Sequence, residues 1–222
     1  MDARLMPSGA LYWPAAATLV VSDLHLETGS SHARRRVFLP PWDTAATLAR
    51  LEAAVAATRP RRVVSLGDSF HDRKGPERLP PDFRWRLEAI ARDREWIWIT
   101  GNHDHGAASL MPGTVADEIA IDGVAFRHIP AEDATDGFEV AGHLHPGARI
   151  AGGGGRTVRR RCFAGCERRL VMPAFGVFTG AGGLNVCDPA FRSLWPRLAD
   201  FTAFMLGRRA VYPIPSEALL PG

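Results

Sequence analysis

The 222-residue sequence is poor in cysteine and lysine, and it has no long apolar run. Its three cysteines, Cys162, Cys166 and Cys187, are an odd number, and the first two match no four-ligand zinc motif. We therefore expect reduced thiols in a cytoplasmic protein, without a disulfide framework. No stretch approaches the roughly 20 uncharged apolar residues of a membrane span. The charged start of the chain also disfavours a secretory signal.

The positive charge is carried almost entirely by arginine, because only one of the 27 basic residues, Lys74, is a lysine. Arginines cluster at residues 34–36, 59–62, 156–161, 168–169 and 208–209, although the net charge is only +3. Codon bias and solvated faces are one explanation of any single cluster. The planar guanidinium group also suits bidentate contact with phosphate, which favours a phosphate-rich partner.

Short apolar runs alternate with helical patterns, and the length suits one domain over residues 1–222. We expect strands at 18–21, 62–66 and 96–100, each followed at once by polar residues. A helix through residues 48–56 should be capped by Asp43 or Thr44 and stopped by Pro60. A second helix should carry Trp85. Beyond residue 118 the sequence predicts strands, with a hairpin turn at Asp122 and Gly123, a turn at 152–155 and an irregular tail over 213–221.

Five polar segments carry metal-ligand chemistry, and three of them directly follow the expected strands. They are Asp23-Leu24-His25, Gly67-Asp68, Gly101-Asn102-His103-Asp104, the single His128, and Gly142-His143-Leu144-His145. Polar function gathers beyond the carboxyl ends of strands in open α/β sheets. All the candidate ligands are oxygen or imidazole donors, which favours Mn²⁺, with Fe²⁺ or Zn²⁺ as alternatives.

The number of donors is enough for two divalent ions. One ion would take Asp23, His25, His145 and a bridging Asp68. The other would share Asp68 and take Asn102, His128 and His143. Both sets leave positions for water and a phosphate oxygen, so we expect a metal-activated hydroxide that attacks phosphorus in line.

The two metal ions do not need His103 or Asp104 as ligands. We expect His103 to protonate the leaving oxygen and Asp104 to orient the imidazole ring of His103, with a hydrogen-bonded supporting pair as the alternative. His71 is expected to support the ligands or to face the substrate, and Glu27 to orient His25 through its free ring nitrogen.

The five segments resemble the calcineurin-like metallophosphoesterase superfamily. A narrower resemblance, to the ligase-associated DNA-damage-response phosphoesterases of bacteria, runs nearly end to end through SDLHLETGSSHARR, LPPWDTAATLARL, SLGDSFHD, WIWITGNHD, GHLHPGARI, RRRCFA, RLVMPAFGVFTG and GGLNVCDPAF. The chain departs from that pattern at Ile129, where glutamate is usual, and at Thr28, where lysine is usual. The ligand histidine, His128, is retained.

The resemblance implies a fold and an activity. The fold would be a four-layer α-β-β-α sandwich of two mixed sheets flanked by helices, in agreement with the strand pattern. The activity would be that of a manganese-dependent endonuclease in DNA repair that prefers single-stranded DNA. The resemblance also implies a functional association with a DNA ligase and helicase system, and we consider a homodimer.

Four arginines and one histidine near the motifs are the candidate substrate contacts: Arg34, Arg35, Arg36, His71 and Arg160. Tryptophans within apolar runs are expected in the core, and Trp42, on a Pro-Pro loop, is the exception that is best placed to stack on bases.

Two other functions are open at this stage. The first is a phosphomonoesterase or phosphodiesterase of the same superfamily that acts on nucleotides or cyclic nucleotides. The second, less favoured, is a catalytically dead scaffold, which we would expect to have lost metal ligands or His103.

Overall fold

Two β-sheets lie face to face in the computed structural model, which describes residues 2–40, 42–132, 137–179, 183–194 and 201–221. The expected α-β-β-α order is confirmed, with helices outside the sheets. Among the helices of the described ranges, none is both long and apolar enough to cross a membrane.

The first sheet has six strands within the described ranges, in chain order. They are β1 (Arg4–Leu5), β2 (Leu11–Trp13), β3 (Thr18–Val21), β4 (Arg62–Leu66), β5 (Glu95–Ile99) and β6 (Thr114–Ala116). Strands β3 to β6 are parallel. The crossovers carry four helices: α1 (Thr28–Arg34), α2 (Asp43–Thr58), α3 (Gly75–Arg78) and α4 (Pro81–Ala91). The three predicted strands and both predicted helices are confirmed.

The second sheet has the order β14-β13-β11-β12-β9-β8-β7, with β10 paired to β11. Its strands are β7 (Glu118–Ile121), β8 (Val124–Arg127), β9 (Phe138–Ala141), β10 (Gly147–Ala151), β11 (Thr157–Gly165), β12 (Arg169–Val171), β13 (Thr202–Leu206) and β14 (Val211–Pro215). The short helix α5 (Pro189–Arg192) precedes β13. The predicted hairpin is confirmed, since Ile121 pairs with Val124 across its turn.

The prediction of an irregular tail over residues 213–221 is wrong at its start. Pro213 and Pro215 lie in β14, which pairs with β13 through Phe204 and Thr202 respectively. A proline cannot donate to a sheet ladder, but β14 is the last strand of its sheet, and an edge strand tolerates it.

The alternation of side chains along the central strands builds two cores. Leu19, Val21, Val63, Trp96 and Trp98 face the helices. The intervening residues Val20, Val64, Ile97 and Ile99 instead meet Phe126, Val140 and Phe163 of the second sheet. Burial of each such side chain contributes about 1.5–3 kcal/mol, so this pattern holds the sheets and the helices in register.

The N-terminus of α2 departs from the prediction, because neither Asp43 nor Thr44 caps the helix. The Asp43 carboxylate accepts the Gly29 N–H at 2.9 Å. The Thr44 hydroxyl accepts the Glu27 N–H at 2.9 Å and donates to Glu27 Oε1 at 3.0 Å. These bonds fasten α2 to the start of α1 instead, which fixes the segment that follows the first ligand motif.

Candidate metal centre

The first group of ligand atoms comes from the loops after β3 and β9. Asp23, His25 and His145 each offer one atom, and these atoms lie within 4.8 Å of one another. Asp23 Oδ1 is 3.1 Å from His145 Nε2, and the Nε2 atoms of His25 and His145 are 3.4 Å apart. Residues more than a hundred positions apart therefore meet at one point.

The second group follows β4, β5, β8 and β9. Asp68, His128 and His143 offer atoms within 4.8 Å of one another. His128 Nε2 is 3.3 Å from Asp68 Oδ2, 3.2 Å from His143 Nδ1 and 2.9 Å from Asn102 Oδ1. The side chain of Asn102 thus lies beside this group.

Asp68 lies between the two groups. Its Oδ2 atom is 3.3 Å from His128 Nε2 and 3.9 Å from His25 Nε2, while Oδ1 accepts the His103 N–H at 2.9 Å. This is the position that a bridging carboxylate requires.

The backbone of these loops is strained. Five candidate ligands have a left-handed φ: Asp23 at 52°, His25 at 43°, Asp68 at 45°, His143 at 71° and His145 at 47°. Such residues cost about 1–3 kcal/mol each and persist where surrounding bonds determine them. Here the His25 N–H donates to Asp68 O at 2.9 Å and the His143 N–H to Asp23 Oδ2 at 3.1 Å.

Glycine is required in the motifs because the loops approach so closely. A Cβ on Gly101 would lie 2.2 Å from both the N and Oδ1 atoms of Asp68. A Cβ on Gly67, where φ is +74°, would lie 2.4 Å from His128 Nδ1. Each glycine lets one ligand loop pass directly over another.

The donor atoms fit two divalent cations. Atoms about 2.1 Å from one ion at tetrahedral or octahedral angles stand about 3.0 to 3.4 Å apart, which matches the spacings between His25 and His145 and between His128 and His143. Buried Asp23 Oδ1 has no hydrogen bond within the described ranges. His128 Nδ1 faces Leu66 O at 2.8 Å, which directs Nε2 at the group.

Burial and neighbouring charge set the protonation of the ligands. Burial lowers the pKa of His25 to about 4, so its imidazole is neutral, the form that binds a metal. Burial raises the pKa of Asp23, but His145, His128 and His25 outweigh it and hold that pKa well below its usual range. Although burial disfavours its charged form, Asp68 and Asp23 raise the pKa of His128 to about 9.

Comparison with known proteins agrees with this geometry. A family model described as calcineurin-like phosphoesterase matches residues 17–159, more than half of the chain. The chain belongs to the calcineurin-like phosphoesterase family. Among curated protein sequences, none matches it significantly.

Solved structures resemble this phosphoesterase as well. Nuclease MPE of Pseudomonas putida has a TM-score of 0.69 and 26% sequence identity, covering 96% of this chain and 94% of that one. Yfce, a phosphoesterase from E. coli, has a TM-score of 0.44 and 13% identity, covering 89% and 98%. With two metal-ligand groups in place, this phosphoesterase is a hydrolase that acts on ester bonds.

His103 projects beside the two groups. Its side chain is half exposed, and its Nε2 atom is 4.0 Å from Asp68 Oδ2. Its position at the edge of the centre is the one that a proton donor to a substrate needs.

Asp104 departs from the expected role. Its Oδ2 atom accepts the N–H groups of Ser69 at 2.7 Å and Phe70 at 3.2 Å, and Oδ1 accepts that of Gly101 at 3.1 Å. Within the described ranges the carboxylate has no hydrogen bond to the His103 ring. Asp104 instead fastens the loop after β4 to the loop after β5.

Glu27 also differs from the expectation. Its carboxylate accepts the hydroxyls of Ser30 at 2.6 Å and Thr44 at 3.0 Å. His25 Nδ1 is buried and has no hydrogen-bond partner in the described part of the chain. Glu27 therefore stabilises the start of α1 and does not orient the ligand.

A basic groove opens next to His103. A cavity of about 530 Å³ is lined by Ser31, Arg34, Arg35, Asp72, Arg73, Lys74 and His103. The His71 ring lies beside it, 6.2 Å from the His103 ring and 5.8 Å from the His25 ring.

The predicted substrate contacts are thus divided. Arg34 and Arg35 share the groove with His103, whereas Arg36 is exposed in a left-handed turn and is not part of its lining. Arg160 lines a different cavity, of about 490 Å³. Sequence reasoning missed Arg73 and Lys74, which are adjacent basic residues shortly after the Gly67-Asp68 motif.

Proposed function

We propose that this phosphoesterase is a manganese-dependent endonuclease that hydrolyses phosphodiester bonds of single-stranded DNA. The observation that carries the proposal is the open groove, whose cationic wall adjoins the metal centre at His103. The 26% identity to nuclease MPE of Pseudomonas putida over nearly the whole of both chains supports it. A cationic groove that is open to solvent suits a polymer of phosphates, while an enclosed site suits a small ligand.

Each part of the site has a task in this reaction. Two bound divalent ions would supply a water of lowered pKa and neutralise phosphate oxygens. Asp23, His25 and His145 would hold one of them; Asn102, His128 and His143 would hold the other, with Asp68 shared. Arg34 and Arg35 hold phosphates of the strand, and His103 donates a proton to the leaving oxygen.

The setting of the enzyme is also a proposal. The similarity of the motifs to the ligase-associated phosphoesterases supports a role in DNA repair in the bacterial cytoplasm, in functional association with a DNA ligase and helicase. The oxygen and imidazole donors support Mn²⁺, with Fe²⁺ or Zn²⁺ as alternatives. A homodimer stays a prediction.

The test compares closed circular DNA substrates, which have no ends for an exonuclease. Metal-stripped protein supplied with Mn²⁺ is expected to linearise and then fragment the single-stranded circle while sparing the relaxed duplex circle. His103→Ala should bind the same amount of manganese but cleave about 10² to 10⁴ times more slowly.

Three results would contradict the proposal. Cleavage of both circles at the same rate would remove the preference for single strands. Intact circles together with turnover of nucleotides or cyclic nucleotides would assign the centre to the small-molecule phosphoesterase alternative. Manganese binding well below one ion per chain would revive the scaffold alternative.

A further inference from the structure

The segment between α1 and α2 displays large apolar side chains to solvent. We call residues 36–40 together with Trp42 the aromatic loop. Phe38 is 84% exposed and Trp42 is 60% exposed, with Val37 at 49%. By contrast, Trp96 and Trp98 are buried and stacked on each other at 4.5 Å. Large aromatic rings exposed in the same loop indicate a binding surface more often than a structural need.

Backbone hydrogen bonds hold both ends of the aromatic loop. After α1, the N–H of Arg36 donates to Ala33 O at 2.9 Å and that of Val37 to His32 O at 3.1 Å. At the other end, Trp42 O accepts the first helical N–H of α2, from Ala46, at 2.9 Å. The loop therefore continues directly from Arg34 and Arg35, which line the groove.

The opposite wall of the groove is held by an ion pair. Arg78 donates to both carboxylate oxygens of Asp72 at 2.9 Å each, and its Nε atom donates to Ser30 Oγ at 2.9 Å. The Lys74 N–H donates to the same carboxylate at 2.8 Å. These bonds position Arg73 and Lys74, and Arg78 offsets the negative charge of Asp72.

The groove is consequently a strongly positive space. Arg34, Arg35, Arg73 and Lys74 surround about 530 Å³, a volume in the range of sites that hold a ligand of nucleotide size. All four side chains are exposed, and within the described ranges none forms an ion pair. Their charge is available for an anion that carries several phosphates.

We infer that the groove and the aromatic loop together bind an unpaired nucleic-acid strand, with its phosphates on Arg34, Arg35, Arg73 and Lys74 and its bases stacked on Phe38 and Trp42. The inference rests on the proposed function and names the residues that select single strands. Proteins that bind single strands combine a cationic groove with aromatic platforms. In a duplex the faces of the bases are hidden in the helical stack. The rings of Phe38 and Trp42 can therefore stack on the bases of a single strand but not on those of a duplex.

Binding to the metal-stripped full chain tests the aromatic part, because no cleavage occurs. The probe is a fluorescein-labelled DNA strand of about 20 nucleotides, free or annealed to its complement, measured by anisotropy. Phe38→Ala and Trp42→Ala should each weaken single-strand binding about tenfold and leave duplex binding unchanged within twofold. Phe38→Trp keeps an aromatic ring at this position, so this variant should retain the single-strand affinity of the wild type.

The matched control is Trp85→Ala. Trp85 is 62% exposed, but it lies on α4, whose solvent face also carries the acidic residues Asp82 and Glu88. Loss of this ring should not change the affinity for either probe.

The charged part has its own control pair. Arg73→Ala with Lys74→Ala should weaken binding of both probes and reduce the salt dependence of the affinity. Arg61→Ala with Arg92→Ala removes the same charge just before β4 and after α4, at the end of the first sheet opposite the metal centre. The control pair should weaken binding much less.

The readouts separate the two proposals. The wild-type protein and the control variant Trp85→Ala should both turn over bis(p-nitrophenyl) phosphate with Mn²⁺, a reaction that needs the metal centre but not the strand path. The inference is overturned if Trp85→Ala weakens binding as much as Trp42→Ala, or if duplex affinity falls equally. A wild-type protein that binds neither probe but turns over the small diester overturns the proposed function as well.

Discussion

Among single residues outside the ligands, Gly101 is a sensitive position because the loops approach each other closely there. Gly101→Ala places a methyl group 2.2 Å from Asp68 N and Oδ1, so the loop after β4 must shift. We expect a loss of about 1–3 kcal/mol in the free energy of unfolding, measured in urea, and weaker manganese binding. The control is Gly153→Ala, where nothing lies within 4 Å. Equal stability of the two variants would show that the loops leave room for a methyl group at residue 101.

Individual ligands could be predicted because each follows an apolar strand, and parallel strands end at one edge of a sheet. The partners of Asp104 and Glu27 could not. Asp104 meets the amides of Ser69 and Phe70 only after two loops distant in sequence have folded together. Arg73 and Lys74 were not predicted for the same reason: their groove forms only when the loop after β4 packs beside α1, which forms the other wall.

At the scale of the element, two cross-strand pairs of the same chemistry differ in burial. Glu139 and Arg169 pair across β9 and β12 at 3.3 Å and are 0% and 7% exposed. Glu95 and Arg62 pair across β5 and β4 at 2.7 Å and are 51% and 28% exposed. Glu139→Gln removes the carboxylate charge that pairs with buried Arg169 and should cost about 3–5 kcal/mol. Glu95→Gln should cost about 0–1 kcal/mol.

Urea unfolding of the two variants measures this difference. Equal losses would show that burial does not determine the stability contributed by the two pairs.

The elements themselves were largely predictable, since alternation along β4 and β5 and the apolar spacing of α2 are strong local signals. Their ends were less so: the side chains of Asp43 and Thr44 bind α1 instead of capping α2, and β13 recruits the proline-containing tail as a strand.

At the scale of the whole molecule, metal binding should be linked to folding. Five strained residues and two nearby carboxylates converge on the centre, and an ion that binds only the folded chain offsets that cost. Manganese at about a hundred times its Kd should add about 2.7 kcal/mol and raise Tm by about 5 to 11 °C. Scanning calorimetry with and without chelator measures the shift.

Asp68→Asn is the informative variant in that experiment. It removes the charge of the carboxylate that lies between the two groups, so the manganese-dependent shift in Tm should be much smaller than in the wild type. A full shift in the variant would place the stabilising ion elsewhere.

The same calorimetry tests the prediction of one domain over residues 1–222, because a single domain is expected to unfold in a single transition.

We propose that two metal ions held by these loops are needed for the hydrolysis of single-stranded DNA. The most direct measurement is a titration of metal-stripped protein with Mn²⁺ that follows, in the same samples, bound metal and linearisation of a single-stranded circle. We expect cleavage to rise with occupancy and to level off near two ions per chain. An uncut circle at full occupancy, or cleavage by metal-free protein, would contradict it.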